Sequence, residues 1–397
     1  MIPSGHLSCT SHGRTSPKCF FCSLLFFSSL VVSFTAVSIP AYSVPPPLQG
    51  PSGETIVGYG HLMHVEYLAG GQYIGAVSTL GGFLFDSETG ELAKACFVGD
   101  KDLYRGAFTP DGSRLVVHVG GHDESIVVLD VDTGEEMLTL DEDDVNSLDF
   151  SPDGTSFLTL SENPLGIVRI RDTSTGEQIH EFRITRLRRG TETGLAAAQE
   201  TASVRKHKLA CPRIEMSNAV FAPSGKHILI SSRTSPFPIL LVDIKTGTVV
   251  NEYEPDYSTL PSEIEERASE RTYGLQVSMS ADCSIVMCMI DHGLILWDAE
   301  SAEQIRYHYG SYPRSMYAAA VSPNNRSFVV AGPDGVTLWD VETGEMLREF
   351  EGHTDYVISC SFSQDGRKLM TAGHDGTIRI CDLATARSAV EEFGSYR

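Results

Sequence analysis

The stretch Gly352–Leu383, GHTDYVISCSFSQDGRKLMTAGHDGTIRICDL, decides how the chain folds. A Gly-His pair opens it and an apolar segment runs to Phe362. Ser363-Gln364-Asp365-Gly366 then supplies a tight turn in which Asp starts the bend and Gly accepts the positive φ that closes it. A second apolar segment leads to His374-Asp375-Gly376, another turn. Thr377-Ile378-Arg379-Ile380-Cys381-Asp382 follows with the polar/apolar alternation of a strand. Three short strands and two turns predict a small antiparallel sheet.

Such a sheet has two apolar faces and is marginal alone, so it needs copies to cover it. The chain makes them. An Asp beginning the pattern Asp-x-x-Thr/Ser-Gly/Ala ends the third strand of each unit, at Asp86, Asp130, Asp172, Asp243, Asp298, Asp340 and Asp382. The intervals between these positions are 44, 42, 71, 55, 42 and 42 residues. Turns after the first strand recur as Thr109-Pro110-Asp111-Gly112, Ser151-Pro152-Asp153-Gly154, Ala222-Pro223-Ser224-Gly225 and Ser322-Pro323-Asn324-Asn325.

Trp297-Asp298 and Trp339-Asp340, with Gly60-His61 and Gly352-His353, complete a pattern that resembles the WD-repeat (tryptophan-aspartate repeat) β-propeller family. The period also fits the ~40–45 residues of such repeats. The resemblance implies an all-β fold, a seven-bladed β-propeller of four-stranded antiparallel sheets. It also implies a polar network joining a Gly-His histidine, a second-strand Ser or Thr, a turn Asp and the Trp. His353, Thr371 and Asp375 match three of its places, while Cys381 stands where the Trp would be. Asp334 with Trp339 keeps half of the set. A His-Thr-Asp trio taken out of context looks like part of a hydrolase triad, but a structural network is the stronger expectation because buried polar groups need partners regardless of chemistry. The resemblance further implies that the last sheet is often completed by a strand from the opposite end of the chain, for which Glu54–Val57 is the candidate; Arg387–Phe393, at the near end, is the alternative for the same outer strand.

Residues 1–43 read as a signal peptide or an N-terminal anchor. Arg14 and Lys18 precede the apolar run Phe20–Val37, and Ala41-Tyr42-Ser43 offers small residues for cleavage. The expected location is therefore outside the cytoplasm, periplasmic or secreted, with membrane attachment only if the leader stays uncleaved. Residues 44–53, VPPPLQGPSG, read as a proline-rich linker, and residues 54–397 as the propeller.

Apart from Arg14 and Lys18, the 30 basic residues lie beyond position 53, as do all 52 acidic ones, so the exported part carries 28 against 52, a formal charge of −24. That balance argues against nucleic acid, whose phosphates need a basic surface. Six cysteines lie beyond the leader: Cys96, Cys211, Cys283, Cys288, Cys360 and Cys381. They show no disulfide-framework spacing and read as structural. Cys360 and Cys381 fall on strands separated by a third, too far apart to bond. Small residues such as Gly106-Ala107, Ala318-Ala319-Ala320 and Ser359-Cys360-Ser361 in the first strands suit wedges that converge on an axis.

Two long intervals mark inserts. The first, at 184–215, counted with Arg183, has a balance of +5. The second, at 255–271, has −3. The basic insert is a candidate for an acidic partner, and mutual pairing of the inserts is the alternative. The acidic run Asp141-Glu142-Asp143-Asp144 reads as a solvated loop in preference to a calcium site. His122, His292 and His374 recur in turns and read as solvated, with no metal expected.

No nucleophile elbow, zinc-protease helix, phosphate loop or calcium loop is present, and no cofactor is expected. The expected function is a non-catalytic scaffold that binds a protein partner of unknown identity. Its recognition face would draw on Tyr104, Arg105, Tyr273, Arg314, Tyr317 and Tyr356, with Arg186, Arg188, Arg189, Arg205, Lys206 and Lys208 of the basic insert. The alternative is a propeller enzyme with a metal or quinone cofactor over the central channel, which fold alone does not exclude.

Overall fold

The computed structural model describes residues 48–49, 55–58, 61–98, 101–120, 124–161, 166–186, 205–211, 216–232, 239–258, 274–290, 293–309, 316–333 and 335–384. All belong to the unit Val44–Arg397. The leader assigned to residues 1–43 lies outside the described residues.

Seven sheets follow one another along the chain. Their innermost strands are Leu62–Leu68, Asp102–Phe108, Val145–Phe150, Met216–Phe221, Gly274–Met279, Ala318–Val321 and Val357–Phe362. In each blade three further strands pair outward in antiparallel order. The recurring Asp builds the turn into the outermost strand. Asp86 Oδ1 accepts the Thr89 N–H at 2.8 Å and the Thr89 hydroxyl at 3.0 Å, and Asp130, Asp172, Asp243, Asp298 and Asp340 repeat the arrangement. At Asp86, Asp130, Asp298 and Asp340 that backbone N–H is the chief reason the carboxyl is held below its ordinary range.

The ring closes through its apolar cores. Seven clusters of buried side chains occur among the described residues, each shared by two neighbouring blades, and one of them joins Leu62, Ile74 and Phe83 of blade one to Met370, Ala372 and Ile378 of blade seven. Sandwiching between neighbours explains why middle strands such as Ile285–Ile290 are buried throughout, whereas the outermost strand Glu136–Asp141 is mostly exposed. Each fully buried Leu, Val or Phe contributes ~1.5–3 kcal/mol of transfer free energy. Close approach at the axis accounts for the small residues there. A Cβ on Gly106 of blade two would come within 2.9 Å of Val77 Cγ1 in blade one.

An innermost strand has one edge with no strand beside it, so its backbone groups need other partners. Neighbouring blades supply them. Ser359 Oγ accepts from Val65 N at 3.1 Å, Glu66 Oε1 from Phe108 N at 3.2 Å, Asp149 Oδ2 from Phe221 N at 2.7 Å and Asn218 Oδ1 from Val277 N at 3.1 Å. Ser147 Oγ donates to Ala219 O at 2.8 Å.

Of the two candidates for closure, the N-terminal segment is the one seen in the sheet. Thr55–Gly58 pairs antiparallel with Thr377–Asp382, with Val57 opposite Ile378. Arg387–Phe393 lies outside the described residues. Two blades exceed the expected four strands. Leu48–Gln49, read above as linker, pairs with Thr55–Ile56 as a fifth strand of blade seven. In blade three, Arg205–Cys211 from the first insert pairs parallel with Gln178–Arg186, so part of that insert is an edge strand and not a loop. Both additions have the same cause: an outermost strand offers unpaired backbone groups to any extended segment nearby.

Candidate functional site

The polar set in blade seven is built by a loop, a strand and a turn. His353 precedes the innermost strand, Thr371 lies on Lys368–Gly373, and Asp375 sits in the turn that follows. His353 Nε2 and Thr371 Oγ1 are 2.9 Å apart, and His353 Nδ1 lies 3.0 Å from Asp375 Oδ2. Asp375 also accepts the Thr354 N–H at 2.9 Å and the Thr377 hydroxyl at 2.7 Å. Gly373 is required beside them, since a Cβ there would meet His353 Nδ1 at 2.6 Å and Asp375 Oδ1 at 2.8 Å. Burial lowers the His353 pKa against the opposing pull of Asp375, which favours a neutral imidazole. The side chains of His353 and Asp375 are only 5% and 7% exposed and are hydrogen-bonded to each other, so the trio acts as a brace, with His353 at the wall of a cleft of about 340 Å³.

Among the described residues neither tryptophan joins such a set. Trp339 Nε1 donates to Thr337 Oγ1 on its own strand at 2.8 Å, and Trp297 Nε1 donates to Glu254 O at 3.2 Å. Asp334 lies outside the described residues.

Glu142 corrects the reading of the acidic run as solvated. Its side chain is 3% exposed and accepts from Thr159 Oγ1 at 2.7 Å, Ser161 Oγ at 2.9 Å, Arg169 Nη1 at 2.7 Å and Arg171 Nη2 at 3.3 Å. Burial alone would raise its pKa. The Thr159 hydrogen bond, the Arg169 and Arg171 charges and the Ser161 hydrogen bond outweigh burial and hold it below the ordinary range. Flanking Asp141, Asp143 and Asp144 are exposed, as expected. The partners that bury Glu142 are 17 to 29 residues away in the chain, which no local pattern displays.

The candidate binding residues fall into separate places. Tyr317 and Tyr356, 42% and 46% exposed, stand before the innermost strands of blades six and seven with ring centroids 5.6 Å apart. Tyr356 also lies 6.3 Å from the His374 ring, and His374 lies 6.0 Å from His61 of blade one. These four rings form an arc across the ends of three adjacent blades. Tyr104, 45% exposed, occupies a bulge in the innermost strand of blade two and packs on His118 at 5.5 Å, apart from the arc. Arg105 follows it and is exposed. By contrast, Arg186, Arg205, Lys206 and Lys208 lie on the two outermost strands of blade three. The tyrosine and basic candidates therefore stand at the inner and outer ends of different blades. Arg188, Arg189, Tyr273 and Arg314, and the second insert beyond Ser258, lie outside the described residues.

His61 and His374, which sequence reasoning did not place among binding residues, belong to the aromatic arc. Their Gly-His and turn positions were visible, but their proximity depends on blade one closing against blade seven.

Residues 344–382 match the family model "WD domain, G-beta repeat". A curated relative, Protein groucho of Drosophila melanogaster, is 34% identical over 96 residues, which is 24% of this chain and 13% of that protein. The chain thus matches only about an eighth of that relative's length. The described residues thus form a seven-bladed β-propeller, one of whose blades carries the matched WD repeat.

Proposed function

We propose that this propeller is a non-catalytic, extracytoplasmic scaffold that holds a protein partner against the aromatic arc of blades six, seven and one. The observation that carries this reading is the exposure of Tyr317 and Tyr356 as a contacting pair. Large aromatics are costly to leave in water and are enriched at interfaces, where they bring large contact area with few rotors to freeze. Export rests on the order of charge, apolar run and small residues in residues 1–43. The absence of catalysis rests on the polar atoms of the His353 set being tied to one another in a structural brace and on the inner carboxylates Glu66 and Asp149 being committed to backbone N–H groups of the next blade.

Affinity capture with the full chain tests the reading. Tyr317→Ala with Tyr356→Ala is expected to weaken partner retention by about tenfold or more, the loss typical of an interface hot spot. Tyr104→Ala serves as the comparison outside the arc. Retention unchanged by the double substitution would remove the proposal, and fractionation showing the mature chain in the cytoplasm would remove its localisation.

A further inference from the structure

Beside the tyrosine pair, a cleft of about 340 Å³ separates the end of blade six from the loop entering blade seven. Phe350 and Pro333 contribute its apolar part, while Glu349, Glu351, Asp355 and Tyr356 form its rim. All four rim residues are exposed. Among the described residues no ion pair neutralises Glu349, Glu351 or Asp355. Arg348, the basic side chain nearest in sequence, instead places its guanidinium over the Phe350 ring at 4.4 Å. Arg379 backs Gly352 at the wall, so three carboxylates stand against two cations, Arg348 and Arg379, and the cleft is net acidic.

From this arrangement we infer that the cleft between blades six and seven docks an extended basic peptide, seating an Arg or Lys head among Glu349, Glu351 and Asp355 with its neighbours laid across Tyr356 and Tyr317. This deepens the scaffold reading and rests on it. The chemistry is complementary in two independent ways. Carboxylates attract the cation and set its direction of approach, while the faces of Tyr356 and Tyr317 accept a guanidinium or ammonium and its apolar stem. The cleft and the pair of rings, 5.6 Å apart, extend over two blades, so the occupant that satisfies both is a run of residues and not a single small cation. An acidic peptide or a nucleic-acid phosphate would be repelled by the same rim.

The test uses fluorescence anisotropy on the full chain with two labelled Gly-Ser peptides, one bearing several arginines and the other glutamates at the same places. The arginine peptide is expected to bind, with affinity falling as salt rises, and the glutamate peptide to give no signal. Glu349→Gln with Glu351→Gln should weaken the arginine peptide by about tenfold. Tyr356→Ala should also weaken it, and Tyr356→Phe should retain binding because the ring face persists. Glu135→Gln with Glu177→Gln, exposed carboxylates in outer turns of blades two and three, should leave it unchanged. Equal loss from that control pair would show bulk charge attraction and overturn the cleft, as would failure of the arginine peptide to bind. Self-association abolished by the Glu349/Glu351 pair, with the peptide ignored, would assign the cleft to a second copy of the chain and overturn the proposal. A partner that is captured through the tyrosines while both peptides are ignored leaves the scaffold standing and sinks only the basic-peptide assignment.

Discussion

Blades three and seven fill the same structural place with opposite chemistry. Thr371 of blade seven lies opposite Arg379, and Thr159 of blade three lies opposite Arg169. Each threonine meets a side chain from the loop that enters its blade: His353 in one case, Glu142 in the other. Blade seven completes its set with Asp375 around a neutral imidazole, and Gly373 leaves room for it. Blade three replaces that glycine position with Ser161 and neutralises its carboxylate with Arg169 and Arg171. The repeat therefore preserves a mechanical requirement, tying the entering loop to the second strand, and leaves the means of tying open. The consequence differs in energy, since a buried charge deprived of its partner costs more than a neutral hydrogen bond lost.

That difference sets the largest expected effect. Glu142→Ala takes the nearest carboxylate from two partly buried guanidinium groups, leaving Arg169 with Glu181 at 4.0 Å and Arg171 with the Gly176 carbonyl, and is expected to destabilise the propeller by about 3 kcal/mol in urea unfolding. His353→Ala removes hydrogen bonds while Asp375 keeps Thr354 and Thr377, so about 1–3 kcal/mol is expected. If the two losses are equal, the ionic and neutral braces are energetically interchangeable and the contrast fails.

Acid sharpens it further. Glu142 has a folded pKa below its ordinary 4.5, so its contribution is present above that value and lost as pH falls through the folded pKa. His353, also lowered, contributes stability that is present above 6.5 and lost as pH falls from there toward its folded pKa. Stability measured against pH should lose the acid-limb decline in Glu142→Gln and the decline beginning near 6.5 in His353→Gln. Interchanged or unaltered profiles would contradict the assignment.

Glu66 runs the other way. Burial pushes its pKa to about 7, against the lowering hydrogen bond from Phe108 N. Its stabilising protonated form is fully favoured below 4.5, and that advantage is lost as pH rises to about 7. With 30% of the side chain still reaching solvent, Glu66→Gln should gain only on the order of 1 kcal/mol at pH 8 and nothing at pH 4. Smallest is Trp339→Phe. It loses one hydrogen bond made within its own strand, and a change near or under about 1 kcal/mol in thermal or urea unfolding is expected. A larger loss would mean that Trp339 braces its blade as His353 and Glu142 do theirs.

Much of this molecule was legible from its residues. The Asp that ends each third strand counts the blades, and its hydrogen bonds are local, closing within three residues, so sequence spacing displays them directly. The network of His353, Thr371 and Asp375 could be placed because all three stand within one repeat. Glu142 was misread for the converse reason. Its neighbours in sequence are exposed aspartates, whereas the arginines that bury it come from a strand beyond the next two turns. The tyrosine arc and its acidic cleft depend on loops from different blades meeting, which periodicity does not encode.

By itself the sequence determined the number of blades, the turns between their strands and the expectation of a closing strand, because those features arise from contacts a few residues apart or from a repeating pattern. Only the tertiary structure decided that Thr55–Gly58 pairs with the last blade, that a piece of the basic insert becomes an edge strand, and that Tyr317 meets Tyr356 beside three carboxylates. Those outcomes depend on which unpaired edges and exposed side chains come within hydrogen-bond or van der Waals reach once the ring has closed, and that distance is a property of packing and not of spacing along the chain.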